Sequence, residues 1–231
     1  MMKRSVSNVP WTAAEVAARM DHAVLKPAMT DSDIRAAAAM CAARGVGNLC
    51  VRPTDAALAA RLLKGTGTTV SVVVGFPHGA NRTEVKLLEA LQAIEDGAAE
   101  LDMVMNIGQF LSGNDDAVRC DIAAVVAAAE RHSVPVKVIL ETCLLTPGQI
   151  ARACDLAIEA GAAFVKTSTG FNGEGATPEA VALMVERCAG RARVKASGGI
   201  RDWAAAVRFL ELGADRLGVG GADAILDGAP G

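Results

Sequence analysis

Short apolar runs recur along this chain at intervals that leave room for one helix and a turn, and that rhythm restricts the fold more than any other feature. The runs fall at 21–26, 48–52, 70–76, 100–106, 134–141, 164–169, 193–199 and 216–220. Ala/Leu-rich stretches of helical period lie between them, among them 84–96, 115–131, 147–160, 178–188 and 202–212. Asp96-Gly97-Ala98, Ala160-Gly161-Ala162 and Leu212-Gly213-Ala214 each read as a helix C-cap followed by re-entry into a sheet. Thr146-Pro147 and Thr177-Pro178 are start signals, because proline suits the first helical turn. Strands alternating with helices imply right-handed βαβ crossovers and a parallel sheet. Eight such units in about two hundred residues predict an α/β fold of the (β/α)8, or TIM-barrel, type at the small end of its size range. Strand count disfavours a doubly wound open sheet, and no Gly-x-Gly-x-x-Gly follows the first strand to suggest a dinucleotide site. Residues 12–20 read as an extra N-terminal helix closing the barrel bottom.

No linker or low-complexity stretch divides the 231 residues, so one domain is expected over 1–231, with 1–10 as a flexible N-terminus. No apolar run reaches the roughly 18 residues that a membrane span needs. Met-Met-Lys-Arg at the start is followed by no apolar segment, so a secretory signal is not expected. A formal charge of −3 without a basic stripe argues against nucleic acid as partner, and tyrosine is absent. None of the six cysteines forms a Cys-x-x-Cys pair, which reads as reduced thiols in a cytoplasmic protein. The three histidines are far apart and never at i, i+4 spacing, so no metal and no cofactor are expected.

Two lysines stand inside strand-like runs, Lys166 in Ala-Phe-Val-Lys-Thr-Ser-Thr-Gly and Lys195 in Arg-Val-Lys-Ala-Ser-Gly-Gly-Ile. Strand alternation puts Lys166 on the face of Phe164 and Ser168, Asp102 on that of Val104 and Asn106, and Lys137 on that of Ile139 and Glu141. Three lysines and a carboxylate therefore converge on one interior. Burial disfavours an ammonium, and a neutral amine attacks carbonyls. Snorkelling to the strand end and mutual ion pairing are the alternative accounts. Ser197-Gly198-Gly199-Ile200-Arg201 follows the seventh strand and Gly218-Val219-Gly220-Gly221 the eighth, where barrels commonly bind phosphate on exposed amides.

Together, Val165-Lys166-Thr167-Ser168-Thr169-Gly170-Phe171, Lys195-Ala196-Ser197-Gly198-Gly199-Ile200-Arg201, Glu100-Leu101-Asp102-Met103-Val104 and Asp21-His22-x-x-Leu25-Lys26-Pro27 closely resemble the deoxyribose-phosphate aldolase family. The resemblance runs from about Met20 to Gly228. It implies a metal-free class I aldolase of deoxyribonucleotide catabolism, in which Lys166 is the Schiff-base lysine, Lys195 the neighbour that lowers its pKa, and Asp102 the proton-relay carboxylate. Gly170, Gly198, Gly199 and Arg201 would match the phosphate-binding loops, and the expected substrate contacts extend to Thr169, Lys137, Gly220 and Gly221. It also implies phosphosugar and aldehyde ligands and a homodimer. Ala23 stands where the family usually has threonine, Val219-Gly220-Gly221 where it has hydroxyl residues, and the chain stops at Gly231 without the terminal tyrosine of some members. Rival readings are a class I aldolase for a different or unphosphorylated aldehyde, and a non-catalytic phosphosugar-binding barrel.

Overall fold

The computed structural model describes residues 10–230, so residues 1–9, on which the expectation of a flexible N-terminus mostly falls, lie outside the described residues, as does 231. Eight parallel strands form a closed barrel in chain order, from β1 to β8 and back to β1. They are β1 Met20–Val24, β2 Asn48–Val51, β3 Thr69–Val74, β4 Glu100–Val104, β5 Val136–Ile139, β6 Phe164–Lys166, β7 Arg193–Ser197 and β8 Arg216–Val219. The helices are α1 Ala13–Ala17, α2 Asp31–Arg44, α3 Ala56–Leu63, α4 Thr83–Glu95, α5 Ile107–Leu111, α6 Asp115–Glu130, α7 Pro147–Glu159, α8 Pro178–Cys188, α9 Trp203–Glu211 and α10 Ala222–Asp227. The barrel expected from the alternation is the fold observed.

Local chemistry sets the helix ends. Thr146 caps α7 in a reciprocal box with Gln149, and the Thr177 side chain accepts from the Ala180 amide at the start of α8, each with proline just inside. Gly97, Gly161 and Gly213 turn the chain with φ of +101°, +85° and +101°. Outward-facing Leu49, Val51, Leu101, Met103, Val194, Ala196 and Leu217 are buried against the helices in the main apolar core. Truncating one such leucine to alanine costs about 2–5 kcal/mol.

Several boundaries differ from the sequence reading. The N-terminal helix is the short α1, because Arg19 already accepts from the Leu217 amide at 2.8 Å and Met20 joins the sheet. On the other side of the sheet, β5 starts two residues late, at Val136. Pro135 has no amide to give, and Val134 donates instead to Ala129. β6 stops at Lys166, after which the chain enters a loop held by side chains.

Candidate active site

Branched apolar side chains usually fill a barrel of this kind. Here Asp21, Asp102, Lys137 and Lys195 are fully buried and Lys166 nearly so. Sheet register brings them together. Asp102 pairs with Lys137 on the neighbouring strand, Lys166 pairs with Lys195, and Asp21 pairs with Gly218 across the closing seam. Asp102 accepts from Lys137 on Oδ1 at 2.7 Å, and from both Lys166 and Lys195 on Oδ2 at 2.7 Å. Asp21 accepts from Lys195 on Oδ2 and from Arg216 on Oδ1 at 2.7 Å. Arg216 also donates to Glu100, which forms an ion pair with Lys137. The Phe164 ring lies beneath this cluster, with the Arg193 guanidinium 3.8 Å from its centroid.

The charge balance singles out one amine. Lys137, Lys195 and Arg216 are matched one for one by Asp102, Asp21 and Glu100, which leaves the Lys166 nitrogen in excess. Burial pushes the Lys166 pKa down, Asp102 pulls it partly back, and Lys195 pushes it down further, so it settles below the ordinary lysine value. A contact of 2.7 Å to a carboxylate would by itself favour the ammonium, but desolvation outweighs it. Burial also acts against the charged forms of Lys195 and Lys137, yet the carboxylates prevail and hold both above the usual lysine range. Desolvation raises Asp102 and Asp21, but the surrounding cations hold Asp102 well below the usual carboxylate range and Asp21 at about 2. The arrangement thus offers one amine biased toward neutrality beside fixed charges of both signs.

Above Lys166, toward the C-terminal ends of the strands, Leu25, Cys50 and Val73 form a small apolar cluster with Ala23 and Phe76 packed on it. The expected loop residues lie around this mouth. Gly170 is exposed with φ +82° between Thr169 and Phe171. Gly198 has φ +86° and passes so near Gly175 that a Cβ would meet that Cα at 2.8 Å, which fits only glycine. Gly199 and Arg201 are exposed, and Gly221 occupies the N-cap position of α10. At Gly220 and Gly221 an added Cβ meets nothing within 4 Å, and neither has positive φ. Lys137 is not among these loops. It pairs with Phe164, one inward-facing position deeper than Lys166, and its ammonium is committed to Asp102 and Glu100. Thr169 is buried, with its hydroxyl given to Glu141. A groove of about 620 Å³ between α6 and α7, lined by Val126, Pro135 and Gly161, opens at the opposite rim, away from all these groups.

Sequence reading assigned no role to Asp21, Glu100, Arg216 or Glu141. The available signal was a carboxylate inside the apolar run of β1 and an arginine two residues before Gly218, which alternation puts on the inner face. Among the described residues, no group of three or more His, Cys, Asp or Glu has the placement to hold a metal ion, and no helix is long and apolar enough to cross a membrane.

The sequence pattern of the DeoC/LacD family aldolases matches residues 15–220. The deoxyribose-phosphate aldolase of Geobacillus sp. (strain WCH70) is 48% identical over 213 residues, covering 92% of this chain and 95% of that protein. The crystal structure of a putative deoxyribose-phosphate aldolase from Coccidioides immitis superposes with a TM-score of 0.92 at 40% identity, covering 96% of this chain and 87% of that one. Deoxyribose phosphate aldolase from Aeropyrum pernix, described as a unique tetrameric structure, superposes with a TM-score of 0.88 at 33% identity, over 94% and 91% of the two chains.

Proposed function

This chain belongs to the DeoC/LacD aldolase family, and from that membership we propose that it is a class I aldolase, cleaving 2-deoxy-D-ribose 5-phosphate reversibly to glyceraldehyde 3-phosphate and acetaldehyde. The observation that carries the imine route is the Lys166 amine, buried beside Asp102 and Lys195 and unmatched in the charge balance. In this reading neutral Lys166 attacks the aldehyde carbon of the open-chain sugar, and the carbinolamine takes up a proton and loses water to give the iminium. The C3 hydroxyl loses its proton as the C2–C3 bond breaks, and the electron pair flows into the iminium to leave an enamine. Asp102 is a weak base by itself at its lowered pKa, so the proton passes through water held against the Asp102–Lys195 pair. Glyceraldehyde 3-phosphate departs, the enamine is protonated at C2 to an iminium, and water hydrolyses it to acetaldehyde, the free amine and a proton.

The phosphate is assigned to the amides of Gly170, Gly198, Gly199, Gly220 and Gly221, with Arg201 at the rim and Thr169 supporting the loop. Lys137 is assigned to Asp102, as the partner that keeps it ionised and oriented. The hydroxyl-free turn Val219-Gly220-Gly221 favours a second reading, an aldolase for an unphosphorylated aldehyde. One catalytic domain in the cytoplasm, acting as a homodimer, completes the proposal. The Aeropyrum pernix relative is described as tetrameric, so sedimentation equilibrium is the check on assembly. Borohydride reduction in the presence of acetaldehyde, followed by peptide mass mapping, tests the chemistry. An ethyl adduct on Lys166 is the expected result, and one on any other lysine overturns the assignment.

A further inference from the structure

Glu141 combines features that a plain turn residue does not need. It follows β5, adopts φ 59° and ψ 62°, a backbone region that side-chain-bearing residues rarely occupy, and is completely buried. Among the described residues no lysine or arginine pairs with its carboxylate. Its bonds all go to the loop that follows Lys166. The Thr169 amide donates to Oε1 at 3.1 Å, and the Thr169 hydroxyl and Asn172 Nδ2 (2.9 Å) donate to Oε2. The Thr169 hydroxyl in turn accepts from the Phe171 amide at 3.1 Å, so the loop is fixed on both sides of Gly170.

The same loop reaches across the mouth. Asn172 Nδ2 also donates to the Pro77 carbonyl at 3.4 Å, between β3 and α4. Phe171 meets Phe76 edge-on with ring centroids 5.1 Å apart, and Phe76 packs on the apolar cluster of Ala23, Leu25, Cys50 and Val73. One buried carboxylate therefore ties down the residues on both sides of Gly170 and, through Asn172, joins that loop to the one between β3 and α4.

We propose that Glu141 is a positioning residue for substrate binding, anchoring the 169–172 loop against the loop between β3 and α4 so that the Gly170 amide meets the phosphate end of the substrate. This rests on the aldolase reading given above. Glu141 has no part in bond making. Its effect belongs to affinity for the phosphorylated sugar, because the loop it anchors lies beyond the amine rather than beneath it.

Glu141→Gln keeps length and shape but replaces the oxygen facing Asn172 by an amide donor, which Asn172 cannot accommodate without giving up Pro77. Steady-state kinetics on deoxyribose 5-phosphate and on deoxyribose, with acetaldehyde–borohydride trapping alongside, give the test. Losing a hydrogen bond to a charged acceptor corresponds to about a tenfold rise in KM for the phosphorylated sugar. The expected kcat stays within a small factor of the parent value, KM for deoxyribose barely moves, and trapping at Lys166 is undiminished. Asn172→Ala removes only the bridge to Glu141 and Pro77, and should raise the same KM by a smaller factor. If Glu141→Gln does not fold, this second variant decides. Unchanged KM in the variants with trapping intact overturns the role of Glu141 alone, as does an equal loss of kcat on both sugars. Failure of the parent protein to trap at Lys166 overturns the aldolase reading, and this proposal with it.

Discussion

Lys166 and Lys195 are direct partners across β6 and β7, and their two Nζ atoms lie 2.7 Å from the same oxygen, Oδ2 of Asp102. Two amines in near-identical surroundings would ordinarily titrate alike. They do not, because Asp21 also accepts from Lys195, while Lys166 has only Asp102. The second carboxylate helps hold Lys195 above the ordinary lysine value, while Lys166, without it, lies below.

Lys166→Arg should abolish turnover, because a guanidinium stays protonated and forms no imine. An assay for acetaldehyde release together with borohydride trapping checks this. Substantial residual activity would move the chemistry to another residue.

Lys195→Leu should shift the pH profile. The reactive amine is the neutral one, so kcat/KM rises with pH through the lowered pKa of Lys166. Removing Lys195 takes away a cation that pushes this pKa down and leaves Asp102 with more attraction for Lys166. Both changes raise it, so the acid limb should move up by about one pH unit or more, with about a tenfold loss on that limb. Superimposable profiles for variant and parent would leave Lys195 without this role.

Asp21 ties stability to pH. Its folded pKa of about 2 lies below the unfolded value, so its contribution is complete above the usual carboxylate range and is lost as pH falls toward 2. That contribution is about 2 kcal/mol, with about half of it gone by pH 3. Urea unfolding at pH 6 and pH 3 should show this loss in the parent and a smaller one in Asp21→Asn. The variant should already be less stable at pH 6 by about 3 kcal/mol, because Lys195 and Arg216 lose a partner. An equal pH response in both proteins would dissociate Asp21 from the acid limb.

Gly220→Ser should lower KM for deoxyribose 5-phosphate about threefold, since one neutral hydrogen bond is worth about 0.5–1.5 kcal/mol. The site is open and its backbone is not left-handed, so serine fits without strain. Deoxyribose should bind as before. A parallel change on both sugars would show that the turn does not face the phosphate.

Prolonged EDTA treatment should leave turnover unchanged, because in the proposed imine route the iminium serves as the electron sink. Inactivation by the chelator with recovery on adding zinc would replace the imine route by a metal-assisted one.

Sequence alone disclosed the eight strands, because their apolar runs and the intervening helices differ in period and the glycine punctuation separates them. It also brought Asp102, Lys166 and Lys195 to one interior by parity. Parity gives the face and not the depth, so Lys137 reads from sequence as a substrate contact although register places it below Lys166. The Asp21–Arg216 bond joins residues 195 apart and exists only through the β1–β8 seam, so no local pattern announces it. The end of β6 was read too long for a related reason. Residues after Lys166 still look like strand, but the Thr169 amide and hydroxyl are taken by Glu141, whose position depends on an unusual backbone turn in a different loop.

The seam between the first and last strands also bears on how the enzyme is made. A chain made only as far as β6 carries Lys166 but neither Lys195 nor Arg216, and lacks the two strands that close the sheet. There the burial and the neighbouring Lys195 cation that lower its pKa in the finished barrel are both missing. Reactivity arrives with β7 and β8, when the sheet closes on itself. The lowered pKa of Lys166 is therefore a property of the closed barrel and not of the strand that carries the residue.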